Sequence, residues 1–91
     1  MEKNKVYDVI LETTASLDLT ERVYWSIKDQ VLSLDEMPYR FPLVREEPFA
    51  SMGVRLMPVE NYHAFYVIDE QLGEVHILRI LYNRREWKNI L

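Results

Sequence analysis

Three short runs of β-branched and aromatic residues follow one another in the second half of the chain, and they constrain the fold more than any other feature. They cover residues 54–57, 62–68 and 74–82, and only a few residues separate one run from the next. Runs of this composition favour β-strands, and connections this short join antiparallel neighbours. The sequence therefore predicts a three-stranded antiparallel meander.

The order and facing of these strands follow from their residues. The middle run, residues 62–68, is apolar at nearly every position, which predicts a central strand. Pro58 follows the first run and has no amide hydrogen to donate, so it is expected at the edge or the end of that strand. In the third run, alternation predicts one face with Val75, Ile77, Arg79 and Leu81, and another with His76, Leu78, Ile80 and Tyr82.

The first half of the chain predicts one strand and one helix. A β-branched and aromatic run indicates a strand over residues 4–11. Apolar residues then recur at steps of three or four, which predicts a helix over residues 14–34 that Pro38 ends. These apolar residues are Leu19, Val23, Ile27, Val31 and Leu34. With a short C-terminal helix over residues 84–91, the predicted class is α+β.

Composition excludes several kinds of protein. With no cysteine, the chain has no disulfide, no thiolate zinc site and no cysteine nucleophile. Its 2 histidines are not part of a cluster of ligands, so we expect neither a metal nor a cofactor. No 18-residue apolar run and no signal-peptide core are present, which predicts a cytoplasmic protein without a membrane partner. The 91 residues fit a single domain, 1–91.

The net charge of −4 is unevenly distributed. Residues 1–50 hold six basic and ten acidic residues, a balance of 6 − 10 = −4. Residues 79–91 have a balance of 4 − 1 = +3, from Arg79, Arg84, Arg85 and Lys88 against Glu86. Salt screens charges over about 8 Å, so an acidic body does not prevent a basic end from binding phosphate. The alternative is a solvated helix with ordinary surface arginines.

Four arginines form the main candidate site. Arg55, Arg79, Arg84 and Arg85 lie on or just after the predicted strands. If the meander brings them together, they line a concavity suited to bidentate phosphate binding. In the alternative, Arg84 and Arg85 are solvated, and Arg55 pairs with an acid such as Glu47 or Glu74. Arg79 is harder to explain in this way, because an arginine between apolar neighbours on a strand needs a partner.

The other candidates are individual side chains. His63 and His76, on adjacent predicted strands, can each serve as a general acid or base near neutral pH, or can be structural. Tyr82 and Trp87 can stack on a nucleobase or pack against the sheet. Glu47, next to Glu46 and before Pro48, is either a catalytic carboxylate or part of a solvated loop.

The chain from Gly53 onward resembles the toxins of the RelE/ParE superfamily of bacterial type II toxin–antitoxin systems, also known as plasmid stabilisation proteins. The residues that carry the resemblance are Arg55, Asn61-Tyr62, Phe65-Tyr66, Asp69, Val75-x-Ile77, Arg79-Ile80-Leu81-Tyr82 and Arg84-Arg85-x-Trp87-x-x-Ile90-Leu91. The segment from Leu34 to Val44 resembles the crossover from helix to sheet in that family. The resemblance covers roughly residues 15–91 and implies one N-terminal strand beside the meander, in agreement with the pattern above.

Two departures from the family are visible. The family places a two-helix hairpin after its first strand, whereas this sequence has room for one helix, so that about fifteen residues of the first helix are missing. If these residues are deleted, an apolar surface of the sheet or the helix is left to be covered, which predicts a homo-oligomer or an exchange of strands or helices between copies. In members that cleave mRNA, an arginine occupies the position on the middle strand where this sequence has His63.

The resemblance also implies site residues. Arg84, Tyr82 and Arg79 are the nearest matches to the basic and aromatic residues that the family uses in catalysis, and Glu47 is a loose match for an acidic base. His63 is added as a candidate base because of its own chemistry. The expected phosphate-binding residues, taken from the arginine pattern and the basic C-terminal end, are Arg55, Arg79, Arg84, Arg85 and Lys88.

The resemblance implies a cognate antitoxin as partner and leaves three functions open. The first is a metal-independent, ribosome-dependent mRNA endonuclease. The second is a toxin that inhibits DNA gyrase without chemistry of its own. The third is a degenerate member that retains only antitoxin binding or self-association.

Overall fold

The computed structural model describes residues 6–11 and 21–82, with the helix side chains from Trp25 onward. Its elements are the strands β1 (Asp8–Leu11), β2 (Arg55–Val59), β3 (Tyr62–Asp69) and β4 (Glu74–Tyr82) and the helix α1 (Glu21–Leu32). Two short 3-10 turns, Ser33–Asp35 and Pro38–Arg40, follow α1. The α+β class predicted from the sequence is confirmed, with one α-helix in the described part of the chain.

The four strands form one sheet in the order β1-β4-β3-β2. β2, β3 and β4 are antiparallel neighbours, as the three apolar runs predict, while β1 runs parallel to β4. β3 is central and β2 lies at the edge, where exposed Pro58 leaves no ladder donor unsatisfied. The parallel β1–β4 pair needs a long crossover, which includes α1.

A β-bulge in β4 changes the predicted facing of its second half. Tyr66 pairs with Ile77 but Phe65 pairs with Arg79, so Leu78 is the extra residue. An extra residue shifts the alternation of all residues that follow it. The prediction that Val75, Ile77, Arg79 and Leu81 share one face was therefore wrong. Val75 and Ile77 lie in one apolar cluster, while Leu81 lies in the other.

The sheet is covered on both sides. On its helix-side face, Ile27, Val31 and Leu34 of the α1 region pack against the sheet in one apolar cluster. That cluster includes the sheet residues Met57, Val59, Ala64, Tyr66, Val75, Ile77 and Ile80. On its loop-side face, Val44, Phe49 and Ala50 cover Phe65 and Leu81. The loop of residues 41–54 thus shields one face of the sheet from solvent, and the helix shields the other.

Some predictions fall outside the described residues. The first seven residues of the predicted helix, 14–20, lie there, and so does the predicted C-terminal helix over residues 84–91. The predicted strand over residues 4–11 is confirmed at Asp8–Leu11, with an isolated bridge from Val6 to Glu36 before it.

Candidate functional site

His63 and Arg79 lie next to each other on the loop-side face. His63 is opposite Leu81, and Phe65 is opposite Arg79, across the β3–β4 ladder. Residues two apart on a strand share a face, so His63 and Arg79 are diagonal neighbours, with Cα atoms roughly 7–8 Å apart in a regular ladder. The structure thus brings together two of the residues that the sequence singles out, one from each strand.

Arg79 combines a half-buried side chain with one donor that has no acceptor among the described residues. Its residue is half-buried, and its Nε atom is buried with no hydrogen-bond acceptor in the described part of the chain. Burying such a donor costs about 1–3 kcal/mol, which an anionic ligand on the guanidinium offsets. The β-bulge is what gives this arginine the same facing as Phe65 and His63.

His63 is a half-buried imidazole beside an aromatic ring. Its ring meets that of Phe65 edge to face, with centroids 6.2 Å apart. Burial disfavours the charged imidazolium and lowers the pKa of His63 below its ordinary value of 6.5. The neutral imidazole therefore predominates near pH 7, and neutral is the form that accepts a proton in general base catalysis.

The lowered pKa of His63 predicts a stability that falls in acid. The unfolded chain binds a proton at this histidine near pH 6.5, whereas the folded chain resists it. The folded protein therefore has its full stability above about pH 6.5, and it loses stability as the pH falls from 6.5 through the lower pKa of His63 in the folded state. Urea unfolding between pH 7.5 and 5.5 measures this, and we expect a smaller loss in His63→Gln than in the wild type.

The control for this measurement is His76→Gln. His76 lies on β4 and its Nε2 is 2.8 Å from the Glu74 carboxylate, so its surroundings differ from those of His63. Removing His76 should therefore leave the acid loss in place. An acid loss that persists unchanged in His63→Gln would contradict the assignment.

Arg55 does not join this site, contrary to the predicted arginine-lined concavity. It lies opposite Tyr66 and two residues before Met57. Both of these residues face the helix, so Arg55 is on the helix-side face of the sheet. Its Nη1 donates to the Phe41 carbonyl at 2.6 Å, and its guanidinium lies 4.9 Å from the centre of the Tyr39 ring. The described partners of Arg55 are therefore Phe41 and Tyr39, and not Glu47 or Glu74 as in the alternative prediction. Arg55 therefore anchors the segment after α1 to the sheet.

Tyr82 and Glu47 have the contacts of the non-catalytic alternatives, in which Tyr82 packs on the sheet and Glu47 belongs to a loop. Tyr82 is opposite Tyr62 and meets its ring edge to face at 5.6 Å, on the face away from His63. Glu47 accepts the Ser51 backbone N–H on its Oε1 at 3.0 Å, so it caps a turn in the loop of residues 41–54. The predicted roles of Arg84, Arg85, Lys88 and Trp87 lie outside the described residues.

One residue of the site was missed by the sequence reasoning. Phe65 is fully buried, contacts His63 and lies opposite Arg79, so it forms the floor of the site. In the sequence it belongs to an apolar run and to the family resemblance, but no local pattern indicates that it lies between His63 and Arg79. The described residues contain no group of three or more side chains able to hold a metal ion. Within the same part of the chain, no helix is both long and apolar enough to span a bilayer.

Comparison with known proteins finds the same fold in a toxin–antitoxin complex. A chain of the RelBE2 complex from Mycobacterium tuberculosis matches this one with a TM-score of 0.74 and 26% sequence identity. The match covers 90% of this chain and 97% of that chain. No protein-family model and no curated protein matches the sequence. The chain therefore has a RelE-like α+β fold, and the resemblance to the RelE/ParE toxins that its sequence indicates is confirmed.

Proposed function

We propose that this protein is the toxin of a type II toxin–antitoxin module, that it acts in the cytoplasm by cleaving mRNA on the ribosome, and that a cognate antitoxin neutralises it. The fold match to a chain of RelBE2, whose structure is that of a toxin–antitoxin complex, supports the module. The cleavage reaction rests on one observation of this chain, which is that neutral His63 lies on the same face of the sheet as Arg79, whose Nε has no acceptor among the described residues.

These two residues suit the cleavage of an RNA phosphodiester bond by its neighbouring 2′-hydroxyl. The neutral imidazole of His63 takes the proton of a ribose 2′-hydroxyl, and the 2′-oxygen forms a bond to the adjacent phosphorus. The bond from phosphorus to the 5′-oxygen breaks, and that oxygen takes a proton from water. Arg79 binds the phosphate oxygens and stabilises the charge that builds up on them. The products are a 2′,3′-cyclic phosphate and a 5′-hydroxyl, and no metal is required.

The remaining site residues complete the proposal. Arg84, Arg85 and Lys88 follow β4 directly in the sequence and add three positive charges for the RNA backbone. Because of this charge, they remain proposed phosphate-binding residues. Arg55 is not a proposed site residue, because its guanidinium contacts the Phe41 carbonyl and the Tyr39 ring on the opposite face of the sheet. Self-association, predicted from the sequence, stays a prediction.

Induction in a bacterial cell without the antitoxin tests this function. We expect growth arrest and new message 5′ ends, mapped by primer extension, that disappear when translation initiation is blocked beforehand. Growth arrest with trapped gyrase on DNA and intact messages would instead support gyrase as the target. Normal growth, with the folded protein present, would support a degenerate member that only binds an antitoxin.

A further inference from the structure

Exposed apolar side chains gather at the end of the sheet where β4 begins. We call this group the terminal patch, and it consists of Val6, Met37, Tyr39 and Leu72. Their exposed fractions are 62%, 67%, 49% and 65% respectively, which is high for residues of this kind. Single exposed apolar residues need no explanation, whereas a group of them marks an interaction surface.

Main-chain and side-chain hydrogen bonds hold the patch together. The Tyr7 N–H donates to the Asp35 carbonyl at 2.8 Å, and Val6 forms a bridge with Glu36, which places Val6 beside Met37. The Asp8 N–H donates to the Gly73 carbonyl at 2.9 Å, which brings Leu72 to the same end. The patch thus joins three segments that are distant in sequence.

A shared carboxylate fixes the centre of the patch. The Tyr7 and Tyr39 hydroxyls both donate to Oε2 of Glu70, the former at 2.7 Å. Glu70 is in the turn between β3 and β4, so these bonds connect that turn to the start of β1 and to the segment after α1. Such a network makes the surface rigid, which lowers the entropy cost of binding.

Met37 has a backbone conformation that its side chain does not favour. Its φ is 55° and its ψ is 54°, in the left-handed region that costs most residues other than glycine and asparagine about 1–2 kcal/mol per residue. Its carbonyl accepts from the Arg40 side chain at 3.3 Å and from the Arg40 backbone N–H at 3.2 Å. The fold therefore holds a strained residue whose apolar side chain points into solvent, a combination that favours a role in binding over one in stability.

The charges around the patch define the partner. The three segments that form it, residues 6–8, 35–40 and 69–74, carry six carboxylates and one arginine, and Arg55 lies at the border. The six are Asp8, Asp35, Glu36, Asp69, Glu70 and Glu74. Arg40 and Arg55 both donate to main-chain carbonyls. An anionic rim repels nucleic acid and attracts cationic side chains.

We propose that the terminal patch binds a basic amphipathic polypeptide segment, one in which lysine or arginine flanks large apolar side chains. The apolar side chains of the segment pack on Met37 and Leu72, and its cations lie over the carboxylates of the rim. This surface is separate from His63 and Arg79, which are on the loop-side face, so it is a second binding site beyond the proposed activity.

A peptide titration tests the proposal on the full chain. The probe is a labelled peptide, Asn-Arg-Arg-Glu-Trp-Lys-Asn-Ile-Leu, with the sequence of residues 83–91, which has the required chemistry. Fluorescence anisotropy should show saturable binding that weakens about 10-fold or more between 50 and 300 mM salt, as expected for several screened charge pairs. A control peptide with glutamate in place of its two arginines and its lysine should not bind.

Two matched variants locate the site. Met37→Asn removes the apolar side chain and places a residue that tolerates the left-handed conformation, so the fold should be retained. We expect about 5-fold or greater weakening of peptide binding in Met37→Asn, from the loss of one buried apolar side chain. Met52→Asn, at a similarly exposed methionine of the loop of residues 41–54, should bind as the wild type does.

Any one of three results would contradict the proposal. These are no saturable binding, equal binding of the glutamate-containing peptide, and equal weakening by the two methionine variants. Growth arrest and message cleavage do not enter this measurement, so its outcome is independent of the proposed toxin function. If the chain oligomerises and Met37→Asn abolishes this, the segment comes from a second copy, which supports the proposed chemistry of the partner.

Discussion

Replacing Arg79 by glutamine is expected to lower message cleavage about 100-fold or more. A single preorganised donor to the developing charge of a transition state is worth roughly 10²–10³ in rate. We expect an effect of this size because Arg79 is half-buried and no described residue accepts a hydrogen bond from its Nε, which leaves that donor available to a phosphate. Primer extension after induction, normalised to the amount of soluble protein, measures the loss.

Arg55→Gln is the matched control for Arg79→Gln. Both variants remove one positive charge from the sheet, but Arg55 is on the helix-side face and binds the Phe41 carbonyl. We expect Arg55→Gln to be less stable and to cut messages normally at temperatures where it is folded. Equal loss of cleavage in the two folded variants would show that the face of the sheet does not matter and would refute the site.

Replacing Phe65 by alanine is expected to destabilise the protein by about 3–5 kcal/mol, as is usual for a buried phenylalanine. Phe65 is fully buried on the central strand, between Leu81 and the loop residues Val44 and Phe49. A small domain has a total free energy of unfolding of roughly 5–15 kcal/mol, so this single change removes a large part of it. Guanidinium unfolding monitored by circular dichroism gives the value.

Val67→Ala is the control on the same strand and the same face. Val67 packs at the border of the cluster and is only half-buried, so we expect a cost of about 1 kcal/mol. If Phe65→Ala costs no more than Val67→Ala, the loop of residues 41–54 does not cover this face in solution. That result would also remove the basis for the low pKa of His63, which depends on burial.

The strands of the meander could be predicted because their information is local. The third predicted strand agrees with β4 at both ends, Glu74 and Tyr82, since the residues around Gly73 form a turn and each strand residue favours extended backbone. The central place of β3 was predicted for the same reason, because a strand that is buried on both faces is apolar at nearly every position. The helix face of Ile27, Val31 and Leu34 follows from periodicity.

The facing of the site residues could not be predicted because it depends on pairing between strands. The bulge at Leu78 arises where β4 meets β3, and no residue in β4 by itself indicates it. Without the bulge, Arg79 would share a face with Val75 and Ile77, under the helix. Arg55 shows the same limit, since its contact with the Phe41 carbonyl joins segments that are 14 residues apart.

The sequence by itself determined the α+β class, the meander and the residue types at hand, because these depend on local conformational preference and on the alternation of apolar residues. Only the tertiary structure decided which of these residues meet. It placed His63 beside Arg79 on one face, moved Arg55 to the other, and joined three separate segments into the terminal patch. The physical reason is that register, bulges and the covering of each face are set by contacts across the chain, and such contacts leave no pattern in any single segment.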